Sequence, residues 1–380
     1  MSYELEEEFL IAISHLHPEP DSVKKGKITE LCREPLNWGY LIRRAVEEGV
    51  DSLLYYNLKK ITQGLNPPCP PFIKGGVGEL LSAQYYSNLI SNIHLLDEFY
   101  EVLKRLHQMG IQVILLKGVF LIEGIYKNIG LRPMSDVDIL VRKESLPPIM
   151  REIEEMGYHI TPHGHLGYLK DGAFPSVIDF HWDIWFPKTD DLWKRCVGIM
   201  MRDISVYILD YEDMLMYMCA HQSIHHGMHR LIWLCDIHEF IHAFADRIHW
   251  ELFVKRVRDY HIGIPLYYTL SYTQRLFKTE IPSSVLEAFK PLRPNSLKAK
   301  IFKKTTVNHY TVDVGHILYL LLLKGFRNRF VYLMHYIFPE RDFIVKRYSV
   351  SKGYIGYFYF LIRPLLLLFK GARAVYQIVF

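Results

Sequence analysis

The segment at residues 132–141, RPMSDVDILV, carries the clearest structural signal in the chain. Acidic and apolar residues alternate through it, which is the pattern of a β-strand whose successive side chains point to opposite faces. Asp136 and Asp138 should therefore share a face, about 6–7 Å apart along the strand. Neighbouring carboxylates repel each other unless a cation lies between them, and a hard divalent ion such as Mg²⁺ suits oxygen ligands. The segment predicts either a metal-binding strand or an acidic strand edge exposed to water.

The preceding segment, residues 113–121 (VILLKGVFL), predicts a short buried strand, a turn at Lys117 and Gly118, and a helix that runs to Tyr126. A glycine in such a turn lets a phosphate approach the backbone and the start of the helix, and the lysine adds a positive charge. The same pattern also fits an ordinary strand–turn–helix unit that binds no ligand.

A second alternating segment, residues 176–184 (SVIDFHWDI), follows along the chain. Asp179, His181 and Asp183 share one face of this predicted strand. A third carboxylate on a neighbouring strand completes the arrangement that two-metal phosphoryl chemistry needs. His181 either orients this carboxylate and helps to transfer a proton, or it is a hydrogen-bonded strand histidine. Asp183 lies farther along and is assigned a structural role.

Together these motifs resemble the uncharacterised nucleotidyltransferase family, which belongs to the DNA polymerase β-like nucleotidyltransferase superfamily. The resemblance covers residues from about 80 to about 245 and rests on the combination of motifs. The residues that carry it are Lys117, Gly118, Tyr126, Arg132, residues 135–141, Gly157, Tyr158, residues 178–182, Leu215, His221, His225, Leu231, Trp233, Leu234, Asp236 and Ile237.

The resemblance implies the α+β fold class, with a mixed β-sheet core of the nucleotidyltransferase type flanked by N-terminal and C-terminal helical regions. It implies that Asp136, Asp138 and Asp179 are the catalytic residues and bind Mg²⁺ or Mn²⁺, with Asp179 also placed to accept a proton from the acceptor. The implied substrates are an NTP and an acceptor that the sequence does not name.

The phosphate-binding turn departs from the wider superfamily. Lys117 and Gly118 stand where the superfamily usually has Gly-Ser or Gly-Gly, so the usual hydroxyl contact to the triphosphate is missing. Ser135 or Arg132 is predicted to replace that contact, and His181 is assigned to the nucleotide-binding set as well.

The chain holds 19 histidines, and several are close together in the C-terminal half. His221 and His225 are one helical turn apart, as are His238 and His242, which is a spacing that suits Zn²⁺. The glutamate that follows the first histidine in zinc proteases is absent after His221. Three interpretations stay open: polar residues at a helix edge, a zinc site, or His221 and His225 lining the nucleotide or acceptor pocket together with Arg230.

Composition indicates a globular protein. Of the 380 residues, 50% are hydrophobic and 23% are charged, which allows a large core in two or three subdomains. The five cysteines form no C-x-x-C pair, which favours a reducing compartment. Residues 1–8 are acidic and lack the features of a secretory signal, so we expect a cytoplasmic protein.

The pattern divides the chain into an N-terminal helical region at residues 1–70, a catalytic core at 71–210 and a C-terminal helical region at 211–380. A proline-rich breaker at residues 66–71 marks the first boundary. A long helix is predicted from about residue 79 to about residue 109, ended by Gly110. Strands are predicted at residues 111–116, 135–142, 157–160, 166–170, 176–184 and 204–209, and further helices at 118–127 and 145–156.

The C-terminal region is strongly basic. Residues 297–380 contain 14 Lys or Arg and 3 acidic residues, so an anionic partner is expected. Residues 354–380 are apolar but interrupted by Arg363 and Pro364, and neither half has the roughly 20 residues that a membrane-spanning helix needs. This tail is predicted either to pack on the core or to make a peripheral membrane contact. Nucleic acid is not favoured as a partner, because the chain has no stripe of interleaved aromatic and basic residues.

Three functions compete on these grounds. The first is a metal-dependent nucleotidyltransferase that moves a nucleoside monophosphate from an NTP to an acceptor and releases pyrophosphate. The second is a sugar-nucleotide glycosyltransferase, since many such enzymes hold metal and diphosphate with Asp-x-Asp; the third carboxylate and the Lys-Gly turn favour the first. The third is a nucleotide-binding or scaffold protein without turnover, which the altered phosphate-binding turn keeps open.

Overall fold

The computed structural model describes residues 3–15, 22–62, 78–161, 166–184, 189–226, 230–307, 313–338 and 354–379. Five helices precede the sheet within this part of the chain: α1 (Glu4–Ile13), α2 (Ser22–Leu31), α3 (Trp38–Glu48), α4 (Asp51–Thr62) and α5 (Gly78–Gln108). The strands and the helices between them are β1 (Ile114–Leu115), α6 (Lys117–Leu121), β2 (Val137–Leu140), α7 (Leu146–Glu155), β3 (His159–Ile160), β4 (Leu166–Lys170), β5 (Ser176–His181), α8 (Thr189–Arg195), β6 (Val197–Met201) and β7 (Ile204–Ile208).

Helices follow the sheet: α9 (Tyr211–Ala220), α10 (Leu231–Ala243), α11 (Trp250–Asp259), α12 (Gly263–Phe277), α13 (Ser283–Phe289), α14 (Leu297–Val307), α15 (Asp313–Leu322), α16 (Phe326–Ile337) and α17 (Tyr354–Val379). Two π-helical turns, Ile122–Tyr126 and His221–His226, continue α6 and α9. The fold is mostly helical with a mixed sheet in the middle, which confirms the predicted α+β class.

Seven strands of the described chain form one sheet in the order β3-β4-β5-β2-β1-β7-β6. β2 runs parallel to β5, and β1 runs parallel to β7, whereas the other neighbouring strands are antiparallel. The two strands that carry the predicted carboxylates are therefore direct neighbours near the middle of the sheet.

The register of these strands follows from alternating burial. Along β5, Ile178 and Phe180 are buried on one face, while Asp179 and His181 lie on the other face and are only partly buried. Burying each of these apolar side chains stabilises the fold by about 1.5–3 kcal/mol. A slip of one residue would bury the polar side chains in their place, so the alternation specifies which residues face the site.

The long helix α5 ends as the sequence predicts. Gly110 adopts φ 71°, a left-handed conformation that glycine takes at little cost. The amides of Gly110 and Ile111 donate to the carbonyls of His107 and Leu106, both at 2.9 Å, which is the Schellman arrangement. The chain then turns directly into β1.

A helix cap and a group of ion pairs hold the start of α9. Oδ1 of Asp210 accepts a hydrogen bond from the amide of Asp213 at 2.9 Å and caps the helix. Arg256 of α11 lies 2.8 Å from the Asp210 carboxylate and 3.0 Å from that of Asp213, and Arg195 of α8 donates to Asp213 at 2.7 Å. This network holds α9 in the position from which its C-terminal end reaches the sheet.

Some elements differ from the sequence-based expectation. No element was predicted for α8 or β6; β6 lies at the sheet edge with mostly exposed side chains, so it lacks the alternation that reveals a half-buried strand. The proline-rich segment at residues 66–71 lies outside the described residues, and the boundaries at 70 and 210 stay predictions. In the part of the chain that is described, we find no helix with the length and apolar character needed to cross a bilayer.

Candidate active site

The two carboxylate strands bring their polar side chains together. In the parallel pairing of β2 with β5, Asp138 lies opposite Asp179, and Leu140 lies opposite His181. Asp138, Asp179 and His181 offer ligand atoms that all lie within 4.8 Å of one another. Carboxylate oxygens and an imidazole nitrogen at this spacing form a group that could hold a metal ion.

Lys117 and His181 both approach the carboxylate of Asp138. Nε2 of His181 lies 2.8 Å from Oδ1 of Asp138, and Nζ of Lys117 lies 3.8 Å from Oδ2. The antiparallel pairing of β1 with β2 explains the position of the lysine, because the amide of Leu116 donates to the carbonyl of Asp138 at 3.2 Å. The turn lysine found in the sequence therefore belongs to the same site as the Asp-x-Asp motif.

Burial and mutual repulsion raise the pKa values of Asp136 and Asp179. Burial, reinforced by the charges of Asp138 and Asp136, raises the pKa of Asp179 from 3.8 to about 7. Burial also raises the pKa of Asp136, and the charge of Asp138 adds to the effect. For His181, burial acts to lower the pKa, but the hydrogen bond to Asp138 and the charge of that carboxylate outweigh it and raise the pKa.

Asp136 lies next to this group without joining it. It precedes β2, and its carboxylate is outside the set of ligand atoms that lie within 4.8 Å of one another. Oδ1 of Asp136 accepts a hydrogen bond from Oγ of the exposed Ser135 at 3.1 Å. The charge of Asp136 still helps to raise the pKa of Asp179, so the carboxylate is electrostatically part of the site. Its role as a metal ligand stays a prediction.

Arg132 has a partner that the sequence did not reveal. Its Nε donates to Oδ1 and its Nη2 to Oδ2 of Asp236, both at 2.9 Å, and the hydroxyl of Tyr126 donates to Oδ1 at the same distance. Asp236 lies on α10, so this buried two-point ion pair joins the loop before β2 to the helices that follow the sheet. Binding of a nucleotide by Arg132 stays a prediction.

The same loop is held from its other side by Asn92 of α5. Nδ2 of Asn92 donates to the carbonyls of Ile129 and Arg132 at 2.6 and 2.8 Å, and Oδ1 accepts from the amide of Met134 at 3.2 Å. Asn92 is fully buried, and the sequence analysis missed it. The one available signal was a polar residue within the apolar face of the predicted long helix.

Two glycines border the site, and they differ in how closely other side chains approach them. Gly167 of β4 pairs with Asp179, and a Cβ on it would lie 2.4 Å from Oδ1 of Asp179 and 2.7 Å from Oγ1 of Thr161. The Asp179 carboxylate therefore rests against backbone that carries no side chain. Gly118, buried at the start of α6, has more room, because a Cβ there would lie 3.4 Å from Sδ of Met134, which is an ordinary contact. Contact of Gly118 with a phosphate stays a prediction.

Helix α9 and its π-helical turn add groups from the C-terminal side. Nζ of Lys117 lies 2.9 Å from Nε2 of His221, whose ring is 5.6 Å from that of Tyr217 and 6.4 Å from that of Trp233. Burial, followed by the charges of the three carboxylates, raises the pKa of Tyr217. The sequence analysis missed Tyr217, although it lies one helical turn before His221. The side chain of His225 lies outside the described residues.

The site carries an excess of negative charge. When ionised, the three carboxylates outnumber the two nearby cations, Lys117 and His181, whereas the charge of Arg132 is already balanced by Asp236. Burial lowers the pKa of Lys117, against the opposing effect of Asp138 and Asp136, so even this cation is weakened. A divalent ion would neutralise the surplus, and the carboxylate oxygens suit Mg²⁺ or Mn²⁺. The residues present therefore fit the metal implied by the resemblance.

All of these groups lie in a region that matches a known protein family. Residues 34–278, well over half of the chain, match the family described as "Uncharacterised nucleotidyltransferase". The chain belongs to this family. The match includes the whole sheet, the loop before β2 and helices α9 and α10. No curated protein matches the chain.

Membership of the uncharacterised nucleotidyltransferase family confirms the resemblance inferred from the motifs. It indicates transferase activity and a nucleotide substrate as the general character of the protein. Nucleotidyltransferases typically depend on a metal, and the group formed by Asp138, Asp179 and His181 is the matching feature of this chain.

Proposed function

We propose that the protein is a metal-dependent nucleotidyltransferase that moves a nucleoside monophosphate from an NTP to an acceptor hydroxyl and releases pyrophosphate. The main support is the register that sets Asp138 opposite Asp179 on parallel strands, with Lys117 next to them. The family match agrees with this class of reaction. The sugar-nucleotide glycosyltransferase alternative has only the Asp-x-Asp motif in its favour.

The proposed step forms one bond and breaks another at the α-phosphorus. The acceptor oxygen bonds to the α-phosphorus, while the bond to the oxygen that bridges the α- and β-phosphates breaks and pyrophosphate leaves with that electron pair. The acceptor proton passes to Asp179, which lies opposite Asp138 in the pairing of the two strands. A bound Mg²⁺ or Mn²⁺, held by Asp138 and Asp179 with Asp136 beside them, supplies charge neutralisation for the phosphates.

The remaining polar groups are assigned to nucleotide binding. Lys117 and His221 are basic groups adjacent to the carboxylates, and we assign them to the triphosphate. Arg132 is included because its Nη1 lies 4.0 Å from the position of a Cβ on Gly118, so it borders the phosphate-binding turn. The other members of the proposed set are Gly118, Ser135, His181 and His225.

Calorimetry with each NTP in the presence of Mg²⁺ or Mn²⁺ tests this proposal. We expect metal-dependent binding by the wild type and a loss of at least 100-fold in affinity in Asp136→Asn/Asp138→Asn. Asp183→Asn is the matched control, because Asp183 follows the same strand but is exposed and accepts a hydrogen bond from Thr189 at 2.9 Å. No NTP binding by folded wild type, or equal binding by the double variant, would overturn the proposal. Binding without pyrophosphate release in the presence of acceptors would favour a nucleotide-binding protein that lacks turnover.

We further propose a peripheral contact of the C-terminal tail, residues 354–380, with an anionic membrane surface. Phe326 of α16 is 83% exposed, and Leu368 and Phe369 of α17 are 68% and 77% exposed. Neither helix contains an acidic residue, and Lys370 and Arg373 follow the exposed pair in sequence. Apolar side chains next to basic ones are the combination that binds an anionic lipid interface.

Sedimentation with vesicles measures this contact. Vesicles containing phosphatidylserine should bind the protein, and Leu368→Ser/Phe369→Ser should reduce the bound fraction several-fold. Leu80→Ser/Ile90→Ser, which changes two exposed apolar residues of α5, is the matched control and should bind like wild type. Equal sedimentation of the two double variants would count against membrane binding by the tail. Cys196, Cys219 and Cys235 have free thiols, and a reducing, cytoplasmic setting stays our proposal for localisation.

A further inference from the structure

A second cluster of metal-binding side chains lies away from the carboxylate strands. His15, at the end of α1, meets His238 and Glu239 of α10, and the ligand atoms of these three residues all lie within 4.8 Å of one another. The three are only 4%, 9% and 0% exposed. Two histidines and a carboxylate from segments far apart in sequence thus converge at a buried position.

The surrounding residues hold the backbone at His15 and the ring of His238. Nδ2 of Asn57 donates to the carbonyls of Ile13 and His15, both at 2.8 Å, and so fastens the end of α1. Nδ1 of His238 lies 2.8 Å from Oγ1 of Thr279. The Thr279 hydroxyl also lies 3.4 Å from the carbonyl of Thr273, so it contacts the His238 ring on one side and the backbone on the other. Metal-binding histidines in proteins almost always have such a fixed second nitrogen.

An aromatic side chain lies beside both histidines of the cluster. The ring of Phe277 lies 5.9 Å from that of His15 and 5.3 Å from that of His238, measured between ring centroids. The two histidine rings are 5.5 Å apart. Buried imidazole and carboxylate groups that lie this close together are the kind of group that coordinates a metal ion.

We propose that His15, His238 and Glu239 bind a zinc ion. Two histidine nitrogens and one carboxylate oxygen form a ligand set that zinc accepts in tetrahedral sites, with a fourth position left for water or another donor. Mg²⁺ is disfavoured because it demands oxygen ligands in octahedral geometry. The ion cross-links α1 to α10, which are separated by more than two hundred residues.

The location of the site gives the zinc ion a structural consequence. Asp236, the partner of Arg132, lies on α10 within one helical turn of His238 and Glu239. An ion that fastens α10 to α1 therefore also fastens the helix that holds the loop before β2. Zinc should stabilise the protein without taking part in the proposed transfer reaction.

Metal analysis of the full-length protein tests the proposal. After reconstitution and removal of free metal, we expect about one zinc per chain in wild type and at least a tenfold loss of zinc affinity in His238→Gln. His107→Gln, an exposed histidine on α5, is the matched control and should keep the zinc. Asp138→Asn should also keep it, so failure of the carboxylate site and failure of the zinc site are distinguishable.

Cobalt provides a second measurement that does not depend on a variant folding. Co²⁺ titrated into metal-free wild type should give the strong visible absorption of a four-coordinate site at one equivalent, displaced by Zn²⁺. Absence of this spectrum in folded wild type would overturn the proposal. Zinc that is lost in His221→Gln but retained in His238→Gln would overturn the proposal as well, since the ion would then be bound by His221 and its neighbour His225.

Discussion

Replacement of Gly167 by alanine tests whether the backbone of β4 positions the Asp179 carboxylate. The new Cβ would lie 2.4 Å from Oδ1 of Asp179, about 1 Å closer than an ordinary contact. Asp179 can relieve the clash by rotating its short side chain, which moves the carboxylate away from Asp138. Because metal sites tolerate changes in ligand distance of only about 0.2 Å, a 1 Å shift should cost about 10- to 100-fold in metal affinity.

Stability should change much less than binding in this variant. The clash involves the ends of two short side chains, those of Asp179 and Thr161, and no backbone atom. Alanine also restricts the unfolded chain more than glycine, which contributes about 0.4–1 kcal/mol in favour of the folded state. The free energy of unfolding should therefore stay within about 1 kcal/mol of wild type.

Mn²⁺-dependent NTP binding, measured by calorimetry beside denaturant unfolding, gives both quantities. Gly198→Ala is the matched control, because a Cβ at that strand position would lie 3.8 Å from Cε1 of Tyr207, an ordinary contact. We expect the control to bind like wild type. If Gly167→Ala binds NTP as well as wild type does, while Asp179→Asn loses binding, then the backbone of β4 at Gly167 does not position Asp179.

Three further outcomes are expected. Arg132→Met should lower the free energy of unfolding by about 3–5 kcal/mol in denaturant titrations, because Asp236 would stay buried without its partner; a loss below 1 kcal/mol would refute this. Asn92→Leu removes three hydrogen bonds to the loop before β2 and should cost about 3 kcal/mol or more, with weaker NTP binding in calorimetry; unchanged NTP affinity would contradict the positioning role. The raised pKa of Asp179 means that the metal-free fold loses stability as the pH rises from 3.8 to about 7, while Mn²⁺ affinity increases over the upper part of that range. Asp179→Asn should reduce both pH dependences, and a variant whose profiles equal those of the wild type would refute the assignment.

Local pattern was sufficient to predict which faces of the two strands carry the acidic side chains. Alternation with a period of two places Asp138 on one face of its strand and Asp179 with His181 on one face of another, because each strand buries its apolar side. That the two strands are neighbours followed from the family resemblance rather than from periodicity. The position of Lys117 was predictable for the same reason, since a short strand and a turn lead directly into it.

The supporting contacts could not be read from one sequence. Arg132 pairs with Asp236, and Gly167 packs under Asp179, through contacts between elements whose arrangement no local pattern encodes. Arg132 was expected to meet a phosphate because nothing local distinguishes an arginine that binds a ligand from one that is buried in an ion pair. Tyr217 looked like any apolar residue of an amphipathic helix, and only the sheet opposite it makes its hydroxyl part of the site.

These supports come from both helical regions that flank the sheet in sequence. α5 holds the loop before β2 through Asn92, and α10 holds the same loop through Asp236. α10 is in turn connected to α1 by the cluster of His15, His238 and Glu239. The Asp-x-Asp motif is therefore positioned by helices that precede and follow the sheet, and the segment at residues 71–210 lacks Asp236. Its strands can supply the carboxylates, but the loop that presents Asp136 is held in part by helices outside the segment.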